Sequence, residues 1–261
     1  MTLKLHSPAH TIRAALIGAA IAVAGPAQAT LMDRGGGLIY DSVLNVTWLK
    51  DTNFAGTSGF ASSGPNGAMI WTEAMSWADN LTYFDSVRNV SYSDWHLPTV
   101  RPVDGVSWNF STSSGGNTDD GYNISAPGSP YAGSTASHLA YMYYNTLGNE
   151  SRCPVGVGWA GCKDPSAPRV PPLATGPFLS LQGHYWTNSN EALPFADALA
   201  FEFSGAQYGV QNAYNAGVPR RAWAVRDGDV SAIPEPGTSA MFGTALAIGF
   251  AGWLRRKRQV G

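Results

Sequence analysis

The amino-acid sequence predicts an α+β domain, and three observations carry that expectation. Apolar residues recur at helical spacing in two stretches ahead of residue 150, and the period changes to two beyond Gly176. Between the periodic stretches lie Gly/Ser/Asn-rich segments, at Gly56 to Gly67, Ser111 to Gly121 and Ser125 to Ser134, which read as long surface loops. Helices gathered ahead of antiparallel strands, rather than alternating with strands, make α+β.

In chain order, Leu38-Ile39-Tyr40 and Val46-Thr47-Trp48-Leu49 are short strand-like runs around Asp41-Ser42, a turn composition. Thr72 is the expected cap of a first helix, with Glu73 in its first turn and Trp71, Met75, Ala78 and Leu81 at helical spacing. A second helix is expected from about Ser137, with Leu139, Met142, Tyr143 and Leu147 on one face and Gly148 as its stop. Further on, Leu199, Phe201 and Phe203 alternate with Ala198, Ala200 and Glu202. Ser204-Gly205 offers a turn, and Tyr208 and Val210 continue the alternation, as in a hairpin. A last strand is expected over Arg221 to Arg226, with Trp223 and Val225 on one face.

Both ends of the chain read as processing signals. Lys4 and Arg13 are followed by the small and apolar run Ala14 to Ala24, then Pro26 and Ala27-Gln28-Ala29, the order of a Sec signal peptide. Cleavage is expected after Ala29, with Ala27 and Ala29 filling the small-residue pockets of signal peptidase, so that residues 1–29 leave the mature protein. At the other end, Ser239 to Leu254 is apolar and is followed by Arg255, Arg256, Lys257 and Arg258. A short transmembrane helix over 239–254, with the basic cluster held in the cytoplasm, places residues 30–232 outside the inner membrane.

Of 16 Lys+Arg and 18 Asp+Glu, the two cations of the signal, the four of the tail and Glu235 lie outside the middle region. Ten cations and 17 acids remain there, a net charge of −7. Such a balance excludes the basic footprint of a nucleic-acid binder and does not suit docking on anionic lipid. The two cysteines, Cys153 and Cys162, enclose eight residues. That spacing is not Cys-x-x-Cys, no histidine is adjacent, and in an oxidising compartment a disulfide is the expected state.

No Gly-x-Ser-x-Gly elbow, phosphate loop, dinucleotide fingerprint or His-Glu-x-x-His pair occurs. His96, His138 and His184 are isolated in sequence, and the expected protein is not an enzyme; a glycoside hydrolase using paired acids is the catalytic alternative. No cofactor is expected beyond a candidate calcium loop. Asn117, Asp119, Asp120 and Asn123 gather hard oxygen ligands about Gly121, the composition of a calcium loop and equally of a polar turn. Trp186, Asn188, Asn190 and Glu191 form a candidate ligand-binding stretch superficially similar to the Trp-Asn-Asp segment of calcium-dependent lectins, although the companion Glu-Pro-Asn or Gln-Pro-Asp tripeptide is absent. The alternative for Trp186 is a place in the core.

Two family resemblances follow. Pro234-Glu235-Pro236, then an apolar helix, then a basic cluster resembles the PEP-CTERM sorting signal of Gram-negative bacteria. It implies a transient stay in the inner membrane, cleavage near Pro234-Glu235-Pro236 by an exosortase, and association with exopolysaccharide and biofilm matrix. The two prolines hold that backbone extended and open to a protease. Within the middle region, Leu38-Ile39-Tyr40-Asp41, Val46-Thr47-Trp48-Leu49, Asp94-Trp95-His96-Leu97-Pro98-Thr99, Tyr185-Trp186-Thr187-Asn188-Ser189 and Ala222-Trp223-Ala224-Val225-Arg226 occur in the order of the DUF1566 (Lcl C-terminal) domain, which they resemble. That resemblance implies a C-type-lectin-like fold, two helices on a small twisted antiparallel sheet with long loops. The expectation is an exported, non-catalytic protein of the periplasm, outer surface or matrix that binds exopolysaccharide or a partner protein, the alternative being a purely structural or adhesive surface protein.

Overall fold

The computed structural model of the chain describes residues 30–188 and 197–230. The two terminal signals, and Asn190 and Glu191 of the candidate lectin-like stretch, lie outside the described residues. The fold is α+β. Strands β1 (Leu31–Asp33), β2 (Leu38–Asp41) and β3 (Val46–Leu49) are followed by a short helix α1 (Phe54–Thr57) and helix α2 (Trp71–Asp79). Next come β4 (Tyr83–Asp85), β5 (Val90–Tyr92), β6 (Thr112–Ser113), β7 (Asp120–Tyr122) and helix α3 (His138–Tyr141). Strands β8 (His184–Trp186), β9 (Asp197–Glu202), β10 (Val210–Asn215) and β11 (Val225–Asp227) complete the order.

The expected single small sheet is instead two sheets and a separate ribbon. One sheet has the order β1-β2-β3-β11, the other β6-β7-β10-β9-β8, and β4 pairs with β5 alone. All pairings are antiparallel except β6 with β7. The split has a local cause. Instead of one continuous strand over Arg221 to Arg226, the chain pairs at Arg221 with Tyr185 and then at Val225 with Trp48, so it crosses from one sheet to the other. Trp223, between these two pairings, fills the seam.

The seam is aromatic. Trp223 packs on Trp48 (ring centroids 4.4 Å apart) and on Phe178 (4.7 Å), and reaches Tyr185 and Phe203. Phe203 and Phe201 continue the column to Tyr143 on the far side. Each ring removes a large apolar surface from water, and edge-to-face packing adds about 0.5–1.5 kcal/mol per pair beyond that burial. Polar ends are satisfied inside: Trp223 Nε1 donates to the Leu49 carbonyl at 2.8 Å, and Trp186 Nε1 to that of Met69 at 2.9 Å.

Several expectations are corrected by burial. The β9–β10 hairpin is present with its turn after Phe203, but Ala198, Ala200 and Glu202 are buried along with Leu199 and Phe201. The strand is covered on both faces, so alternation of polarity does not report one-sided exposure. Helix α2 begins at Trp71 and not after a Thr72 cap. Met69 is still paired with Arg220, Ile70 is extended, and the free Trp71 amide is taken by the Ala216 carbonyl, so the helix springs directly from a bridge. Its buried residues are Ala74, Trp77 and Ala78, with Leu81 buried just beyond; of the expected Trp71, Met75, Ala78 and Leu81, the first two are only partly covered. The second helix does start at Ser137, whose hydroxyl caps the Ala140 amide, and Gly148 follows it at φ +64°. After Tyr141 it widens into a π-helical turn over Met142–Thr146. Up to Tyr144 it is buried all round, since Ala140, Tyr141 and Tyr144 are buried as are the expected Leu139, Met142 and Tyr143; the expected Leu147 is only partly covered.

The polar stretches read as surface loops are partly interior. Thr118, Asp119, Asp120, Ser125 and Ser129 are buried. Their side chains substitute for regular backbone pairing, as the Asp119 carboxylate does in accepting the amides of Val103 and Asn109 at 2.7 Å each. Cys153 and Cys162 form the expected disulfide, with Cys153 packed against Tyr122 and Val210.

Candidate functional site

Helix α2 carries a stripe that runs from exposed polar residues to the edge of its buried face at Trp77. Glu73, Ser76, Trp77 and Asn80 stand at i, i+3, i+4 and i+7, so they form one stripe along the helix and its C-cap. Opposite them the chain leaves α1 through Ser58 and Gly59 to Phe60, which is 39% exposed and meets Trp77 edge to face at 6.5 Å. Between the two runs lies a trough of about 560 Å³, with Phe54, Phe60 and Trp77 as its apolar walls and the side chains of Ser58, Ser76, Asn80 and Thr82 along its rim. This volume falls in the range of sites for small organic ligands.

The loop carrying Phe60 is held by backbone contact. Phe60 N–H donates to the Ala55 carbonyl, Gly64 N–H to that of Ala68, and Ser63 N–H to both Glu73 oxygens at 3.1 Å. Gly67, at φ +78°, lies so close to Gly56 that a Cβ on it would run into the Gly56 amide. Both the left-handed conformation and the close approach require glycine. Gly67→Ala is expected to lower stability by at least about 1–2 kcal/mol. It should also open the Phe60 loop, read as faster proteolytic cleavage between residues 56 and 67.

A second basin of about 270 Å³ adjoins the first, sharing Phe54 and continuing to Tyr83, Lys50, Asp51, Thr57 and Leu179. Phe54 and Tyr83 meet edge to face at 5.2 Å. Lys50 is paired with Asp33 at 2.8 Å, and Asp51 accepts from the Asn53 amide and the Thr57 hydroxyl. The charged groups of both basins are therefore already tied to protein partners. On the rim, Asn80 donates to the Ser76 carbonyl at 2.8 Å and Ser58 to that of Ala55 at 3.3 Å, while the side chains of Ser58, Ser76, Asn80 and Thr82 are all exposed.

The residues singled out in the sequence fall elsewhere. Asn117 accepts from the Ser113 hydroxyl, Asp119 binds two amides, Asp120 accepts from the Ala213 amide, and Asn123 donates to the Ser114 and Cys153 carbonyls. Burial pushes the Asp119 and Asp120 carboxyls up from the usual carboxylate range, against the pull of these amides. Among the described residues no group of three or more His, Cys, Asp or Glu is disposed to hold a metal ion. Trp186 is fully buried, in the core, and the half-buried Asn188 braces the Pro98–Val100 segment by accepting the Val100 amide.

The histidines are structural. His96 sits in a bridge to Val225 with Nε2 3.3 Å from Asp227, and His184 meets the buried Glu202 at 2.9 Å. His138 is buried with Nδ1 unpartnered, and its pKa is depressed to about 4, chiefly by burial and further by His96 and Arg101, with Asp227 opposing. A histidine that protonates more readily unfolded than folded contributes stability above pH 6.5 that is lost as pH falls toward 4. The protein is expected to be about 2 kcal/mol less stable at pH 5 than at pH 7.5 from this residue. His138→Gln should remove that part of the slope in urea melts at the two pH values.

The trough was hidden in the sequence because Phe60 lies in a Gly/Ser segment and α2 reads first as a core helix. An aromatic side chain stranded among small residues, facing a helical stripe of Glu, Ser, Trp and Asn, was the available signal. No known family, no curated protein and no solved structure matches the chain.

Proposed function

We propose that the chain is an exported, non-catalytic protein of the cell envelope or extracellular matrix, and that it binds exopolysaccharide in the trough beside α2. One observation carries the binding site: aromatic surface, exposed at Phe60 and half-buried at Phe54, stands beside the exposed polar side chains of Ser58, Ser76, Asn80 and Thr82, each of which keeps hydrogen-bonding capacity beyond its contacts within the protein. A sugar ring has an apolar C–H face and a rim of hydroxyls, so such a wall and rim complement it. The carboxylates of the trough are engaged by Ser63, Asn53 and Thr57, which favours holding a polymer over hydrolysing it. The finer fold that goes with this reading is C-type-lectin-like, with the ligand on the loop side of α2.

Export through the Sec translocon, a stay in the inner membrane on residues 239–254 and exosortase cleavage at Pro234-Glu235-Pro236 complete the proposal. The Cys153–Cys162 disulfide supports an oxidising destination. No metal takes part. Passing the purified protein over immobilised exopolysaccharide from its own host tests the reading. Retention that survives a calcium chelator is expected, and passage without delay refutes it. Mass spectrometry of the processed protein should find Thr30 as the first residue and nothing beyond residue 240.

A further inference from the structure

Resting on the trough as the binding site, we infer that its ligand is a neutral polysaccharide bound along the chain, not an acidic polymer and not a chain terminus. The argument begins with charge. Within the two basins the side chains that carry charge are Glu73, Asp51 and Lys50. Lys50 is spent on Asp33, at 2.8 Å. Glu73 and Asp51 are held by neutral donors alone, the Ser63 amide in one case and the Asn53 amide and Thr57 hydroxyl in the other. A uronate or sulfate laid in the trough would meet two uncompensated carboxylates and no free cation. Repulsion at such range, next to apolar walls, disfavours it strongly. The surrounding domain, at net −7, adds to the repulsion.

Shape supplies the second part. The basins of about 560 and 270 Å³ both lie open at the surface and share Phe54 as a wall. Apolar surface recurs from Phe60 through the half-buried Phe54 and Tyr83 to Leu179, which is 56% exposed, with only an edge of the buried Trp77 reached between them. Successive patches of apolar surface with exposed hydroxyl groups between them suit consecutive sugar units of one chain. Exposed serine, threonine and asparagine groups both donate and accept, as a sugar hydroxyl does, and bring no charge preference.

Affinity electrophoresis of the full-length protein, in a polyoxyethylene detergent, tests this with two sets of gels. One set contains soluble neutral glucan, mannan or galactan, and the other alginate or hyaluronate. Retardation by at least one neutral polymer is expected, unchanged by added salt and weakened about tenfold by Phe60→Ala, while Trp159→Ala at an exposed site elsewhere leaves it intact. Short oligosaccharides of that polymer should compete only once they exceed a single sugar unit. Retardation by the acidic polymers alone, lost in Phe60→Ala, overturns the neutral assignment and keeps the trough as the site. Competition by the monosaccharide as good as that by the oligomers overturns binding along the chain. Retardation indifferent to Phe60→Ala, or none in any gel, overturns the trough itself.

Discussion

Replacing Trp223 with alanine should lower stability by about 3–5 kcal/mol, a large part of what holds the domain folded. The magnitude is that of deleting a buried tryptophan, set against about 5–15 kcal/mol of total stability for a domain. Trp223 is fully buried, touches Trp48, Phe178, Tyr185 and Phe203, and donates to the Leu49 carbonyl. Its loss opens a cavity where the two sheets meet and strands an interior acceptor. Trp223→Phe separates the two effects, keeping most of the ring while removing the N–H; its expected cost is about 1–3 kcal/mol. In urea titrations the alanine variant should shift the midpoint by roughly 1–3 M. Trp159→Ala, at a 55% exposed residue, should stay within about 0.5 kcal/mol of the parent. A midpoint for Trp223→Ala equal to that of Trp159→Ala would show that the seam is not where the sheets are joined.

Opening the Cys153–Cys162 bridge is expected to cost about 2.5–3 kcal/mol. The bond closes a loop of nine residues' separation, and in the chain-entropy view its effect is exerted on the unfolded chain. The native loop has its own closure: Lys163 N–H donates to the Arg152 carbonyl, and Arg152 Nε returns to the Lys163 carbonyl at 2.7 Å. The Cys153 carbonyl also accepts from Asn123 and Ser151. Reduction should therefore leave the folded loop in place and act on the unfolding equilibrium. The parent protein melted with and without reductant is the cleanest comparison, because serine at position 153 would put a hydroxyl against Tyr122 and Val210. A melting temperature unmoved by reductant would mean that the unfolded chain already keeps this loop closed.

The disulfide was legible because it depends only on two residues and a compartment. The β9–β10 hairpin and the Ser137 and Gly148 limits of the second helix were legible because local patterns dictate them. Elements set by distant contacts were not. The start of α2 is decided by a bridge from Met69 to Arg220 and by the Ala216 carbonyl, which makes Thr72 irrelevant as a cap. The expected final strand divides because Arg221 and Val225 pair with different sheets. Asn117, Asp119, Asp120 and Asn123 looked like ligands because Asn and Asp serve cation sites and turns with the same oxygens; here Asp119, Asp120 and Asn123 hold backbone groups and Asn117 accepts from the Ser113 hydroxyl. The trough depends on Gly56 meeting Gly67 and so bringing Phe60 across from α2, a contact that composition does not announce.

Titration of isotopically labelled protein with a neutral oligosaccharide, followed by nuclear magnetic resonance, tests the binding site most directly. Saturable shifts at the Trp77 indole, the Asn80 side chain and the Phe54 and Phe60 amides are the expected result, with Trp159 and Trp186 unmoved. Shifts gathered around Asn117–Asn123 or Trp186–Asn188 instead, with the α2 face silent, would contradict it.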